Sequence, residues 1–471
     1  MTTADRTQLR VLSTLNADGT RRWLRPWVSP GRFLRRRRAV GWFLIALFTL
    51  LPYVRIGGKP AVLLDIAGRE FALFGRTFYP TDTLALALLV MTIFITVFLL
   101  TALLGRVWCG WACPQTVYLE FVYRPIERLL EGKPGRKRKE GGWRTPVKYI
   151  LYLLVSMFLA HTFLAYFVGV ERLAQWVRTP PWEHPTAFLV MFVTTGLMMF
   201  DFSFFREQTC VVACPYGRFQ SVMLDRHSLI VTYDKSRGEP RGKLARKRKN
   251  GDVALNVAPP GDCIDCELCV RTCPTGIDIR EGLQMECVGC AQCIDACDAV
   301  MERIGKPRGL IRYSSQEAVE GKRPRLLRPR VVIYPLLLTL TGGGLAAVVA
   351  RQAPADITVL RGVGGVPYIV SEDAMVTTQA RIKIRNRTAE QRTYQIEIAA
   401  PPEAGLSGNG RSLIVAPGAM ETAGFQIVAP RSLYVDGRLD LMFRISDDDG
   451  FSRDVPHHLR GPMGRSAGAG S

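Results

Sequence analysis

The stretch that decides the fold of this chain is 263–298, which reads CIDCELCVRTCP at 263–274 and CVGCAQCIDACD at 287–298. Both runs have the spacing C-x2-C-x2-C-x3-C, and together they hold eight of the twelve cysteines in the chain. Three thiolates two residues apart can bind three irons of one 4Fe–4S cluster, while the fourth cysteine reaches the neighbouring cluster. The repeated spacing therefore predicts two 4Fe–4S clusters in a ferredoxin-like module.

Because the fourth cysteine of each run binds the cluster of the other run, the ligation is crossed, and each of the eight cysteines is assigned to one cluster. Cluster 1 is expected to be held by Cys263, Cys266, Cys269 and Cys297. Cluster 2 is expected to be held by Cys287, Cys290, Cys293 and Cys273. A disulfide framework would need an oxidising compartment and tolerates irregular spacing, and structural zinc uses pairs of cysteines instead of quartets. Neither alternative accounts for the duplicated spacing.

The composition places these clusters in a membrane protein. The 471 residues are 48% hydrophobic and carry a formal net charge of +21. Such a charge would also suit nucleic acid, but it lies in blocks beside long apolar runs, as topology determinants do. From Gln352 onward thirteen basic and thirteen acidic residues cancel, so the whole excess lies before that point. We therefore expect the membrane, and no nucleic acid, as a partner.

Five apolar runs predict about five transmembrane helices, four within 39–205 and the fifth at 331–351. The first run begins near Ala39 without a small-residue cleavage site, so we expect it to remain as an anchor. Residues 1–38 hold ten arginines against two aspartates and are expected to form a basic cytoplasmic tail beside anionic lipid. Nine basic against four acidic residues at 105–146 place that loop in the cytoplasm. The N-terminus and all cysteines are then cytoplasmic, and the C-terminus lies outside.

Two further cysteine pairs follow the second and the fourth apolar runs. They read CGWACP at 109–114 and CVVACP at 210–215, so both have the spacing C-x3-C-P. Cysteines four apart on a helical turn share a face, and two such pairs at one membrane surface could offer four thiolates to a metal. The candidate redox and metal ligands are Cys109, Cys113, Cys210 and Cys214. A third iron–sulfur cluster, one copper site, two separate Cu(I) sites and buried cysteines without metal remain open.

The remaining segments are connectors and one β domain. Residues 206–261 and 303–330 are expected to connect the cluster segment, 262–302, to the membrane helices. That segment holds nine acidic residues against two arginines, so we expect it to dock on basic loops of the same chain or to present a solvated face. Residues 352–471 predict an all-β Ig-like domain that lacks the central disulfide, because they hold short alternating runs and no cysteine. The runs lie at 380–385, 394–398, 413–416, 424–428 and 439–445.

Histidines offer two weaker hypotheses. His161 in the third predicted span would need a facing histidine to bind haem, and the other spans lack one. His457 and His458 near the C-terminus could bind a metal, although paired histidines of this kind are more often solvated. Neither feature changes the expectation that the chemistry rests on cysteine.

These motifs resemble the cytochrome c oxidase accessory protein family, called CcoG, FixG or RdxA. The resemblance covers most of residues 50–315, and all twelve cysteines match family positions. It rests on PAVLLDI at 60–66, GRVWCGWACPQTV at 105–117, CPYGRFQSVM at 214–223, VTYDKSRGEPRG at 231–242, and the segment from GDCIDC to GLIRY at 261–313. The C-terminal region is less similar, and VLRGVGGVPY at 359–368 departs from the family pattern.

The resemblance implies a multi-domain protein of the bacterial inner membrane, with a helical transmembrane bundle, a cytoplasmic two-cluster module and a periplasmic Ig-like domain. It also implies assembly of cbb3-type oxidase as the role and reduction of Cu(II) to Cu(I) as the activity. The implied partners are copper ions and assembly factors that include a copper-transporting ATPase. Two other functions remain open, an electron-transfer subunit of a quinol- or ferredoxin-linked respiratory complex and a non-redox assembly scaffold. No flavin or dinucleotide motif identifies the electron donor.

Overall fold

The structure, a computed structural model, divides into two compact units, Met1–Ala346 and Ala347–Ser471. All twelve cysteines belong to the first unit, and the second is built mostly of β-strands. Residues 243–260, about a third of the predicted connector before the clusters, lie outside the described residues, as do the first twelve residues of the predicted tail. The described residues are 13–16, 18–56, 58–135, 141–242, 261–322, 328–362, 366–388, 390–407 and 411–463.

The first unit begins with helix α1 (Arg32–Leu50), which is followed by two small antiparallel sheets. The sheets comprise β1 (Arg55–Ile56) with β2 (Lys59–Pro60), and β3 (Val62–Asp65) with β4 (Glu70–Leu73) and β5 (Arg76–Phe78). The helices that follow are α2 (Thr83–Leu104), α3 (Val107–Trp111), α4 (Pro114–Tyr118), α5 (Arg124–Glu131), α6 (Arg144–Val168), α7 (Val170–Trp176), α8 (Pro185–Phe200) and α9 (Pro215–Met223). Segments of π-helix at 119–123, 201–205 and 209–213 flank both C-x3-C-P motifs, and such segments are frequent at functional sites.

The ferredoxin-like module is closed by a two-stranded antiparallel sheet. Its elements, and those that follow it, are β6 (Ile230–Tyr233), α10 (Lys235–Gly238), α11 (Leu268–Arg271), α12 (Gln292–Arg303), β7 (Ile311–Ser314), α13 (Gln316–Val319) and α14 (Pro329–Ala350). β6 pairs with β7 so that Val231 lies opposite Tyr313. The core of the module packs apolar side chains such as Ile277 and Ile294 around the cluster cysteines. This packing buries Cys263, Cys269, Cys290 and Cys297, whereas Cys266 is exposed.

Four helices are long and apolar enough to cross a membrane, within the part of the chain that the structure describes. The sequence predicts the second to fifth spans at about 83–104, 147–170, 185–205 and 331–351, and the bounds of the four helices agree with these within a few residues. They are Thr83–Leu104, Arg144–Val168, Pro185–Phe205 and Pro329–Ala350. The first predicted span is missing from this group because the helix that contains it, α1, carries five arginines in its first two turns.

The ends of α1 nevertheless lie at opposite ends of the helical bundle. Its first turn rests on the ferredoxin-like module, where the Asp295 carboxylate accepts hydrogen bonds from the backbone N–H groups of Phe33 and Leu34 at 3.1 and 2.7 Å. Near its last turn the Tyr166 hydroxyl of α6 donates to the Phe48 carbonyl at 2.7 Å. A helix of 19 residues is about 28 Å long, close to the thickness of the hydrocarbon core. The helix therefore runs the length of the bundle, with its arginines held at the module end.

The segment before α1 contacts the ferredoxin-like module. The Ser13 hydroxyl donates to the Thr275 carbonyl at 2.7 Å, and the Trp27 N–H donates to the Arg271 carbonyl at 3.0 Å. Arg32, at the start of α1, lies 3.7 Å from the Asp298 carboxylate of the acidic segment. The described part of the tail therefore packs against the module, and its attraction to lipid stays a prediction.

The second unit is a sandwich of two antiparallel sheets, which confirms the predicted Ig-like fold. Its strands are β8 (Ala355–Arg361), β9 (Ile369–Val370), β10 (Met375–Asn386), β11 (Arg392–Ala400), β12 (Gly405–Ser407), β13 (Ser412–Val415), β14 (Met420–Pro430), β15 (Arg438–Asp447) and β16 (Ser452–Arg460). One sheet has the order β12-β14-β10-β8 with β9 beside β10, and the other has the order β13-β11-β15-β16. Alternate residues such as Ile382, Ile384 and Phe443 are fully buried between the sheets, so apolar packing supplies the core without a disulfide.

Candidate metal centres

The cysteines of the two ferredoxin-like runs surround two cavities. One cavity has Cys263, Cys266, Cys269 and Cys297 in its lining. The other has Cys273, Cys287, Cys290 and Cys293 in its lining. The structure thus brings the cysteines together in the two crossed sets. Cys269 also borders the second cavity, so the two sites adjoin.

Each run uses the same backbone turn to aim its thiols. Glu267 follows Cys266 with φ +55°, and Ala291 follows Cys290 with φ +60°. Both residues are left-handed and lie directly before the helices α11 and α12, so the chain reverses between the second and third cysteines of each run. Helix α12 then carries Cys293 and Cys297 one turn apart. It is this helix that supplies one thiol to each cavity.

Burial keeps these thiols protonated until metal binds. It raises the pKa of Cys269, Cys287 and Cys297 to about 12 and that of Cys290 to about 11, and neighbouring thiols in each set add to the shift. Iron binds thiolates, so loading of the metal must release these protons. Four thiols around an enclosed apolar cavity are the donor set of a 4Fe–4S cluster, and the residues of both cavities fit that group.

The two cysteines of each C-x3-C-P pair were expected on one continuous helical turn, but the structure places them on different elements. Cys109 lies in α3 and Cys210 in the π-helical turn 209–213, but Cys113 and Cys214 are the N-cap residues of α4 and α9. Their backbones are extended, with ψ of 126° and 107°. The proline that follows each of them excludes the helical conformation at the preceding residue. A helix N-terminus favours negative charge, and the Gly217 N–H donates to the Cys214 sulfur at 3.4 Å.

The four cysteines of both motifs, named here the C-x3-C-P quartet, lie together. Burial, together with the neighbouring thiols of Cys113, Cys109 and Cys214, raises the pKa of Cys210 to about 12. Burial likewise raises the pKa of Cys109, whose sulfur donates to Gln220 Oε1 at 3.0 Å. The quartet is therefore one group of coupled thiols, not two separate pairs.

The spacing of the thiols bears on what the quartet can hold. Among the residues that the structure describes, no three histidine, cysteine or carboxylate side chains are grouped so that they could hold a single metal ion. This holds for the quartet and for both ferredoxin-like sets. In a 4Fe–4S cluster each thiolate binds a different iron, so its ligands are more widely spaced than those of one ion.

The quartet touches the loop that carries the cluster 2 ligands. A Cβ built on Gly110 would lie 2.6 Å from the Val288 carbonyl oxygen and 2.8 Å from both Cα and N of Cys290. Trp111 Nε1 donates to the Tyr313 hydroxyl at 3.1 Å, and that hydroxyl donates to the Gly289 carbonyl at 2.5 Å. The three thiol sets are therefore contiguous, with cluster 2 in the middle.

A buried ion network joins the same segments beside the thiols. Glu207, three residues before Cys210, is 3% exposed and lies 3.4 Å from Arg124 and 3.3 Å from Arg21. Arg124 also donates weakly to the Pro274 carbonyl at 3.5 Å, directly after Cys273. The network connects the N-terminal segment through Arg21, helix α5 through Arg124, the segment before Cys210 through Glu207, and the first ferredoxin-like run through Pro274.

Sequence reasoning missed the residues that join the sites. Gln220 is 1% exposed and its amide donates to Thr101 and Tyr216 at 3.1 and 2.6 Å. Both Gly110 and Gln220 lie in strings that carry the family resemblance, which was the available signal. The histidines that the sequence offered as candidates lie in ordinary surroundings. The His161 ring is hydrogen-bonded to the Met157 carbonyl of its own helix, and the His458 ring is hydrogen-bonded to Asp440.

Three family models match this chain. A 4Fe-4S dicluster domain matches residues 205–316, which include Cys210, Cys214 and the eight ferredoxin-like cysteines. A 4Fe-4S binding domain matches residues 86–137, which include Cys109 and Cys113. The IG-like fold at the C-terminal of FixG matches residues 345–462. The three matches together span every cysteine and the β domain.

Relatives of known name match most of the chain. Protein RdxA of Cereibacter sphaeroides is 34% identical over 88% of this chain and 92% of its own length. Protein RdxB of the same organism is 35% identical over 82% of this chain and 85% of its own length. Nitrogen fixation protein FixG of Rhizobium meliloti is 30% identical over 94% of both chains. Similarity at this level and coverage extends through the bundle, the clusters and the β domain.

Proposed function

The chain belongs to the family of FixG, RdxA and RdxB, iron–sulfur electron-transfer proteins of the membrane, and we propose that it reduces Cu(II) to Cu(I) at the C-x3-C-P quartet. Each Cu(II) ion is a substrate that takes up one electron. The 4Fe–4S clusters, when bound, supply one-electron transfer. The reduced copper then serves the assembly of a cbb3-type oxidase.

One observation supports the proposal above all others, the backbone contact between Gly110 and Cys290. Gly110 lies between the two cysteines of the first C-x3-C-P motif, and Cys290 is a cluster 2 ligand. Any side chain at position 110 would force the two loops apart. The chain therefore keeps the quartet directly against the ferredoxin-like module, as delivery of electrons from one to the other requires.

We further propose that the quartet holds one shared centre, and that this centre is a third 4Fe–4S cluster. Both motifs lie inside regions that match 4Fe–4S domain models, and together they offer the four thiolates that one such cluster needs. Copper is then a substrate that is reduced beside this centre, not a resident ion of the quartet.

The location and partners follow from charge and from the family. The basic balance of 105–146, nine against four, favours the cytoplasm for the quartet and both clusters, and the C-terminal domain is then periplasmic. Partners that suit a source of Cu(I) are oxidase assembly factors, among them a copper-transporting ATPase. The electron donor must be a protein or a small molecule that reaches the cytoplasmic module.

The test is anaerobic Cu(II) reduction by the reduced, purified full-length protein. Cys109→Ser and Cys210→Ser should each lower the rate and the iron content by a similar factor, because either change opens the same shared centre. Val212→Ser is the matched control, since Val212 lies in the second motif, is exposed and carries no thiol.

Other outcomes would contradict parts of the proposal. Loss of half of the bound copper in each cysteine variant would indicate two separate Cu(I) sites. Unchanged copper reduction in all four Cys→Ala variants would indicate structural thiols and would refute the reductase role of the quartet. Iron counting and EPR of the ferredoxin-like clusters in the same samples show whether the module itself is intact.

A further inference from the structure

A second pocket of the first unit lies on the side of α1 that faces α5 and the cluster loops. It is open to solvent and lies between the N-terminal segment, α1, the start of α5 and residues 272–274 and 292 of the ferredoxin-like module. The residues of its lining that matter here are Trp27, Arg37, Arg38, Trp42, Arg128 and Gln292. The pocket plays no part in the proposed copper chemistry.

Two deeply buried donors in this lining have no hydrogen-bond partner. Arg37 is 2% exposed; its Nε donates to the Gly110 carbonyl at 2.9 Å, but its Nη2 is unpartnered. Gln292 is 6% exposed, and its Nε2 is also unpartnered. Buried donors normally find an acceptor, in the protein, in water or in a ligand. Both residues line the same pocket, which is therefore the place where an acceptor for these donors would bind.

The charges of the lining define that acceptor as an anion. Arg37, Arg38 and Arg128 line the pocket against a single carboxylate, Glu120, which leaves an excess of two positive charges. Glu120 is itself bound by Arg124 and lies 3.9 Å from Arg128. Arginine offers planar paired donors that match the oxygens of a phosphate. A neutral carbonyl ligand would satisfy the two donors but not this charge.

The position of the pocket identifies where the phosphate comes from. Arg37 and Arg38 immediately precede Ala39, where the apolar part of α1 begins. Trp42, one turn further, is 52% exposed, and tryptophan is the residue that most favours the membrane–water boundary. The pocket therefore lies at the level of lipid headgroups. We propose that it binds the phosphate of an anionic phospholipid.

The experiment measures lipid retention by the full-length protein in detergent by native mass spectrometry. Phosphatidylglycerol, phosphatidylcholine and inorganic phosphate are added separately. We expect phosphatidylglycerol to be retained more tightly than phosphatidylcholine. Arg38→Gln should weaken it about fivefold, the usual contribution of one basic residue at an anionic surface. Gln292→Leu should weaken it about tenfold through loss of a hydrogen bond to a charged group.

Arg36→Gln is the matched control, because Arg36 is exposed on α1 and is not part of the pocket. It should leave retention unchanged. Iron content is measured in every variant, because Gln292 lies between two cluster ligands; Arg38→Gln gives the decisive comparison if Gln292→Leu loses iron. Equal losses in Arg36→Gln and Arg38→Gln would show non-specific surface attraction and overturn the site. Displacement of phosphatidylglycerol by millimolar inorganic phosphate would overturn the lipid as the ligand.

Discussion

Replacement of Gly110 by alanine is the sharpest test of the contact between the quartet and cluster 2. In an isolated helix the change would help, because alanine is favoured over glycine by about 1 kcal/mol. Here the new Cβ would lie 2.6 Å from the Val288 oxygen and 2.8 Å from Cys290 N, where ordinary contacts begin at 3.4 Å. The loops must therefore separate by 0.8 Å, the difference between 3.4 and 2.6 Å. Overpacking of this kind costs about 1–3 kcal/mol, and backbone atoms cannot rotate away as a side chain could.

The net expectation for Gly110→Ala is a loss of stability and of copper reduction with retention of the ferredoxin-like clusters. Gly196→Ala in α8 is the matched control, because a Cβ there meets no atom within 4 Å. The assay combines thermal unfolding, iron content, EPR of the clusters and the rate of anaerobic Cu(II) reduction. The reasoning fails if Gly110→Ala unfolds like the control and reduces Cu(II) at the parent rate.

Three other changes test the remaining assignments. Cys273→Ser should damage cluster 2 and leave cluster 1 intact, because Cys273 of the first run is assigned to cluster 2. Selective loss of the cluster 1 signal in EPR would refute the assignment. Glu207→Gln should destabilise the protein by about 1.5–3 kcal/mol, because the buried Arg124 loses one of its two carboxylate partners and keeps Glu120. Glu171→Gln, at an exposed ion pair, should cost at most about 1 kcal/mol, and equal melting temperatures of the two variants would contradict this prediction. A reporter fused after residue 360 should show periplasmic activity. A cytoplasmic signal would overturn the predicted topology, in which the C-terminal domain lies outside.

Much of the fold could be predicted because long patterns dominate it. Four apolar runs became helices with nearly the predicted bounds, since a run of about 20 apolar residues has few other stable structures. In the β domain the alternating runs at 380–385, 394–398 and 439–445 lie inside β10, β11 and β15. Strand β16 was missed because it contains Pro456 and two histidines. It is an edge strand, where a missing backbone donor is tolerated.

The N-terminal segment shows what charge alone does not specify. Ten arginines before residue 39 indicate attraction to lipid, but their number does not reveal that Arg37 is buried and bonded to Gly110, or that Arg32 lies 3.7 Å from Asp298. The acidic character of the cluster segment was visible in the sequence. Which basic residues it would meet depends on how α1 packs, and no local pattern in the sequence specifies that packing.

The C-x3-C-P quartet shows the same limit at the level of the site. Cysteines four apart suggest one helical face, but the proline after Cys113 and Cys214 ends that helix and makes each cysteine the N-cap of the next. The proline rule was available from sequence, and it would have predicted the break. It could not have predicted that Gly110 meets Cys290, because residues 180 positions apart share no local pattern. The quartet therefore packs as part of the ferredoxin-like module and not as part of the transmembrane helices. Replacements at the contact between Gly110 and Cys290 should then impair copper reduction while the helices still insert into the membrane.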